Sequence, residues 1–344
     1  MVHIGEIALR AGVSRSTVSY ALSGKRPVSP STRARINAVI EEVGYRPSAA
    51  ARALAAGHTD TIALFVPRRS RRLNSNQLPF VAAVVETAEE CGLDVLLSTA
   101  LPHAGLPSLV RLVTERRVDG VVLMETRTPE PLAEELHRRG APFVTIGRTG
   151  DGLVHDWVDH DQEAAVRACA RSLTDQGHRR IALVLGDQET LDINYGLAVY
   201  SSAGFRAALD ETGAQGEVIA CGESFDAGFG LGARLAVSAE APTGLVIVND
   251  AALVGISVGL TSGGCSVPGD VSIAVVVVPG AAQGVSQLPP LTGVDVPVDA
   301  MAGIAVTVLA ERLKHPEGPP VQRLIPAPLV DRGSAVPPRP DRRP

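Results

Sequence analysis

No apolar run in this 344-residue chain is long enough to span a bilayer. No cationic stretch followed by an apolar one opens it either, because residues 1–10 already read as an amphipathic helix. A cytoplasmic protein is therefore expected. Cysteine is sparse: Cys91, Cys169, Cys221 and Cys265 lie far apart, without CxxC or Cys/His spacing, which argues against a disulfide framework or structural zinc and leaves buried or idle thiols. Lysine is nearly absent, with only Lys25 and Lys314 in an arginine- and alanine-rich chain, the usage of a GC-rich genome. Catalytic constellations are missing too: there is no Walker loop and no nucleophile elbow. The run Gly228-Phe-Gly-Leu-Gly232 lacks both a preceding strand and full GxGxxG spacing. No catalytic residue, metal or cofactor is assigned, and no enzyme activity is implied.

What is present is a folded composition, 45% apolar and 20% charged, long enough for two or three domains. The net charge of −5 hides an asymmetry. Residues 1–59 carry Arg10, Arg15, Lys25, Arg26, Arg33, Arg35, Arg46 and Arg52 against only Glu6, Glu41 and Glu42. A basic head on an acidic body is the pattern expected when one terminal module meets phosphates. In that head Ile4, Ile7, Ala8 and Ala11 share a helical face, Gly12 and Val13 make a turn, and Ser14 can cap a second helix. There Val18 and Leu22 are expected to point inward, leaving Arg15, Ser16, Ser19 and Tyr20 on a polar face suited to a DNA groove. Ser29 and Pro30 announce a third helix, with Ile36, Val39, Ile40 and Val43 as its apolar stripe up to Gly44.

Ala11-Gly-Val-Ser14, Thr17-Val-Ser19, Val28-Ser29, Thr32-Arg33 and Gly44-Tyr-Arg-Pro47 follow in an order and register that resembles the lactose-repressor (LacI/GalR) family of bacterial transcription regulators. The resemblance implies DNA contacts by Arg15, Ser16, Thr17, Ser19, Tyr20, Arg52 and Leu54. It also makes Pro47-Ser-Ala-Ala-Ala-Arg-Ala-Leu54 a hinge helix, too short to be stable alone and ordered by a partner. Leu54 then stands where the family places its minor-groove wedge; a plain linker is the alternative.

Beyond residue 60, short apolar runs at 62–66, 95–97, 120–123, 143–146, 181–185, 245–248 and 271–278 alternate with helical stretches such as 80–91, 132–139 and 162–176. That alternation reads as parallel α/β, which binds ligands at strand carboxyl ends. The expected fold is an all-α helix-turn-helix head plus an α/β two-lobed body with parallel sheets, similar to the family's periplasmic-binding-protein-like core. The expected organisation is a head at 1–46, a hinge and linker at 47–59, a body at 60–331 and a flexible tail at 332–344. The first lobe takes 60–157 and 293–321, and the second takes 158–292 and 322–331.

Effector contacts matched to the family are Phe80, Arg148, Asp159, His160, Ser201 and Asn249. Phe80 reads equally as core, and Asp250 reads as a helix cap rather than a ligand contact. Ser201 stands where sugar- and purine-binding members commonly carry arginine, and residues 275–279 replace an Asp-containing turn. Two missing charged contacts argue against a simple hexose and for a more apolar ligand or an acid held by Arg148. The basic run 68–72 is either a solvated insertion or an anion site. The function expected is that of a ligand-responsive repressor, a homodimer on a palindromic operator with a small-molecule effector and no membrane partner. A solute-binding protein or an enzyme with a fused helix-turn-helix are the alternatives, and a C-terminal coiled coil is not expected.

Overall fold

The computed structural model describes residues 3–23, 26–44, 56–67, 73, 76–100, 105–150, 152–278 and 290–339. Arg52, Leu54 and the basic run 68–72 lie outside the described residues. Three helices form the head: α1 (Ile4–Arg10), α2 (Arg15–Ser23) and α3 (Pro30–Val43). Gly12, at φ +62°, turns the chain between α1 and α2. The hydroxyl of Ser14 accepts from the Thr17 amide at 3.1 Å, and that of Ser29 caps α3 through the Thr32 amide. Ile7, Ala8, Ala11, Val18, Ile36 and Val39 make the head's core. Leu22 does not join it, as the sequence led one to expect, and is 39% exposed. The small Ala21 takes the inward place beside Val18, at the i,i+3 position of the same face.

Among the described residues the body holds two six-stranded sheets. The first sheet comprises β1 (Thr61–Pro67), β2 (Asp94–Ala100), β3 (Gly120–Met124), β4 (Phe143–Ile146), β5 (Asp156–His160) and β11 (Gln322–Ile325), in the order β11-β5-β4-β3-β1-β2. All its pairings are parallel. The second comprises β6 (Arg180–Leu185), β7 (Gln215–Ala220), β8 (Gly244–Ile247), β9 (Ser272–Val277), β10 (Thr292–Asp295) and β12 (Leu329–Val330), ordered β12-β10-β9-β8-β6-β7. Only the edge strand β12 runs antiparallel to its neighbour.

Alternation along β1 explains the layering. Ile62, Leu64 and Val66 face α4 (Gln77–Glu90) and α12 (Val298–Lys314). Ala63 and Phe65 face α5 (Gly105–Thr114) and α6 (Pro131–Arg138). The second sheet is covered on one side by α7 (Gln162–Asp175) and α9 (Gly196–Thr212), with the short α8 (Gln188–Asp192) between them in the chain, and on the other by α10 (Phe225–Val237) and α11 (Asp250–Ser262). The glycine run at 228–232 lies inside α10 and is a packing device. A Cβ on Gly228 or Gly232 would overlap the carbonyl oxygens of Ala252 or Ile256, and one on Gly255 or Gly259 those of Phe225 or Phe229.

Strand pairing moves the expected lobe boundaries. β5 extends to His160 and β11 begins at Gln322, both in the first sheet, whereas β10 belongs to the second. Each crossing thus falls a few residues later than 158, 293 and 322: after His160, after Asp295 and after Ile325. The expected flexible tail at 332–344 is instead packed as far as residue 339. Ser334 is fully buried, its hydroxyl donating to the Ile273 carbonyl and accepting from the Thr292 amide at 2.7 Å. His178 Nε2 meets the Val336 carbonyl at 2.9 Å. Those residues satisfy backbone groups of the second sheet, which is why they pack.

Candidate functional site

On the head, Arg15 and Ser16 are exposed, while Thr17, Ser19 and Tyr20 are half-buried. The Arg15 guanidinium lies back over α1: Nε is 2.8 Å from where a Cβ of Gly5 would stand. Arg26 stacks on the Tyr20 ring at 5.2 Å. Ser14, Ser16 and Thr17 join their hydroxyls at 2.7 and 2.8 Å at the amino end of α2, where unpaired amides and the helix dipole favour a phosphate.

Between the lobes lies a cavity of about 160 Å³, bounded by the carboxyl ends of strands from both sheets. Part of its wall is apolar, with Phe80, Met124, Ile146, Val248, Val276 and Met301 contributed by both lobes. Phe80 is therefore both core and lining, because α4 turns its ring to the cavity while its neighbours pack on β1. The rest of the wall is polar. Arg148 Nε donates to Asp159 Oδ2 at 3.2 Å, and its guanidinium lies 3.9 Å over the Tyr200 ring. Arg148 Nη2 is buried and has no hydrogen-bond partner among the described residues. His160 is 5% exposed, and burial holds its ring below the ordinary histidine range.

Asn249 and Asp250 both line the cavity, and Asn249 also takes the capping role expected of Asp250. The Asn249 side chain is fully engaged: Nδ2 donates to the Leu185 and Cys221 carbonyls at 3.2 and 2.8 Å, and Oδ1 accepts from the Ala252 amide, capping α11. Asp250 is the acid of the cavity. Its Oδ2 accepts from the Val278 amide at 3.2 Å, and a further hydrogen bond comes from Asn76 of the other lobe. Oδ1 has no hydrogen-bond partner among the described residues. Burial pushes its carboxyl up to about 7. The sequence carried no signal for this assignment, since either residue suits an N-cap.

Ser201 does not line the cavity. Fully buried on α9, it accepts from Gln162 Nε2 at 2.7 Å, behind the wall. Gln162, which sequence reasoning missed, lines the cavity and touches His160 Nε2 through its Oε1 at 2.5 Å. The valines that displace the Asp-containing turn, Val276 and Val278, do line it, with Asp250 beside them. Charge thus reaches the cavity from Arg148, Asp159 and Asp250, with Glu125 and Glu223 also in its lining, instead of from positions 201 and 275–279. Elsewhere, His58, Asp60 and Asp119 bring ligating atoms within 4.8 Å of one another at the start of β1, where both Asp119 oxygens accept from the Thr59 amide.

A backbone bridge also ties the two lobes beside the cavity. The Thr128 amide donates to Asn194 O and the Gly196 amide to Thr126 O, both at 2.9 Å, pairing Arg127 with Tyr195.

A helix-turn-helix head with a capped second helix, carried on two α/β lobes around a polar cavity, defines a DNA-binding regulator that responds to a small molecule. Residues 3–48 match the model of bacterial regulatory proteins of the lacI family, and residues 170–335 match a periplasmic binding protein-like domain. The HTH-type transcriptional regulator CelR of Thermobifida fusca is 30% identical over 338 residues, 95% of this chain and 96% of that one. The chain belongs to the lacI family of bacterial regulatory proteins and is a ligand-responsive repressor. Among solved structures, a CelR–cellobiose complex is similar at TM-score 0.71 and 27% identity, covering 97% of this chain and all of that one. The lac repressor dimer bound to operator and the anti-inducer ONPF shares the fold, at TM-score 0.82 and 23% identity over 97% of this chain and 99% of that one.

Proposed function

We propose that this repressor acts in the cytoplasm as a homodimer on a palindromic operator, and that a small hydroxylated molecule held between the lobes controls it. The observation that carries the effector reading is the convergence of buried polar atoms from both lobes. Arg148 Nη2 comes from the first lobe and Asp250 Oδ1 from the second, and neither has a hydrogen-bond partner among the described residues. Leaving such groups unmet costs roughly 1–3 kcal/mol each, so a ligand that pairs both stabilises the closed arrangement of the lobes. The apolar part of the wall suits the carbon face of a ring, and Arg148, Asp159 and Asp250 supply donor and acceptors for its hydroxyls. The case against a hexose rested on positions 201 and 275–279. With charge supplied by other elements, that case loses its basis and sugars rank among the first candidates. CelR's complex with cellobiose supports the same class.

On DNA, Arg15, Ser16 and Tyr20 are assigned to base edges, with Ser19 beside them and Thr17 at the phosphate end of α2. Arg52 and Leu54 are assigned to the hinge, Leu54 as the minor-groove wedge. A palindrome needs two heads, hence the dimer. The test is fluorescence anisotropy with operator-length DNA, with and without a panel of mono- and disaccharides, beside thermal shift of the same protein. A sugar that raises the melting temperature and changes operator affinity is the expected result. Sugars that bind without touching DNA affinity, or DNA affinity independent of sequence, would overturn the effector or the operator assignment respectively.

A further inference from the structure

The polar part of the wall contains one group whose chemistry is set by residues behind it. His160 ends β5, lines the cavity and is buried. Its Nε2 lies 2.5 Å from Gln162 Oε1, and Gln162 Nε2 donates to Ser201 Oγ at 2.7 Å. Gln162 is 1% exposed and Ser201 fully buried, so water does not compete for either contact. A carboxamide that spends its N–H on the serine turns its oxygen to the ring, and the imidazole proton then resides on Nε2. That leaves Nδ1 with a bare lone pair. Among the described residues Nδ1 has no hydrogen-bond partner, and Asp159 Oδ1 stands 3.7 Å away. Asp159 is itself an acceptor, held by the Arg148 amide and Nε through its other oxygen. Two acceptors facing each other in a buried wall repel, and a donor placed between them relieves both.

We propose that His160 is a specificity-determining residue of the interlobe cavity: its Nδ1, with Asp159 Oδ1 opposite, forms a slot that takes an O–H or N–H donor of the effector, while Gln162 and Ser201 are positioning residues that fix the tautomer. This rests on the interlobe cavity being the effector site. Ser201, expected to touch the effector directly, acts on it at second hand. Burial keeps the ring neutral, since it penalises the imidazolium more than Asp159 favours it. The slot therefore selects for a donor and against a bare carboxylate or carbonyl.

The experiment is long-range 1H–15N NMR of the full chain labelled at histidine, with the His160 ring assigned by its loss in His160→Asn. In the wild type at neutral pH the expected result is a protonated Nε2 and a pyridine-type Nδ1. Ser201→Ala and Gln162→Met should each shift that ring toward a mixture of tautomers. A wild-type ring protonated on Nδ1, or on both nitrogens, overturns the proposal without any variant having to fold. The second arm adds cellobiose or ribose, with calorimetry on the same sample. Upfield movement of Nδ1 on binding supports the slot, and binding that leaves Nδ1 unmoved overturns it. If neither sugar binds, it is the hydroxylated-ligand reading of the cavity that fails, and the tautomer in the ligand-free protein still decides this proposal.

Discussion

Arg15 leaves the first turn of α2 with its guanidinium folded over Gly5, so reaching a base edge requires only a side-chain rotation. Arg15→Ala should weaken binding to the preferred operator by about 1–3 kcal/mol and binding to random DNA by less, read by anisotropy titration. Equal losses on both would mean a phosphate contact alone. Asp250 makes a different residue-scale prediction. Burial raises its carboxyl from an unfolded value of 3.8 to about 7, so the native state keeps its proton to higher pH than the unfolded chain. The stability this supplies is complete below the unfolded value and is lost as pH rises through about 7. His160 and His178, both lowered by burial, act in the opposite sense, losing stability as pH falls. The difference between wild type and Asp250→Asn isolates the acid: the variant's denaturation midpoint should gain on the wild type's from about pH 4 to about pH 7. A constant offset between the two curves would show that Asp250 does not titrate there.

Strand β5 shows what polar residues do inside an element. Asp-Trp-Val-Asp-His reads poorly as a buried strand, yet it lies between β4 and β11, and each of its charges has an assignment. Asp156 takes Arg312 of α12 through two hydrogen bonds at 2.9 and 2.8 Å and the Val321 amide at 2.6 Å, fastening helix, strand and the loop into β11. Removing one partner strands the other, so Asp156→Ala should cost about 3 kcal/mol in urea unfolding. A loss below about 1 kcal/mol would place the pair among the weak surface bridges. The helix pair α10 and α11 meets through glycines, and Gly255→Ala should destabilise by about 1–3 kcal/mol because the new methyl has backbone, not a movable side chain, in its way. Unchanged stability would mean the helices can part without cost.

At the scale of the molecule, the two lobes touch through the Arg127–Tyr195 bridge and through Asn76 and Asp250 across the cavity. Gly196 is the first residue of α9, and Tyr195 before it sits at φ −58° and ψ 127°, a conformation a following proline accepts. Gly196→Pro should therefore leave α9 intact while removing the donor to Thr126 O. The expected outcome is faster hydrogen exchange at the Thr128 amide and a larger radius of gyration by small-angle scattering. Unaltered values for both would show that the bridge does not hold the lobes together.

The head was readable from sequence because its helices are local, with caps at Ser14 and Ser29 and a glycine turn at Gly12 within a few residues of the groups they serve. The strongly apolar strands, such as β1 and β4, were legible for the same reason: their composition alone demands burial on both faces. Strands β5, β7, β10, β11 and β12 were not, because they are short or polar and their place in a sheet stabilises them where their own composition does not. The same non-local pairing moved the lobe crossings and drew Ser334 into the second sheet. In the cavity, the sequence by itself, through the positions it matches to the family, named Phe80, Arg148, Asp159 and His160, all of which line it. Only the tertiary structure decided that Asn249 spends its side chain on backbone, that Asp250 keeps an oxygen for the cavity, and that Ser201 works through Gln162. Which polar atoms remain unpaired depends on the neighbours that folding brings to each of them, and those neighbours come from elements far apart in the chain.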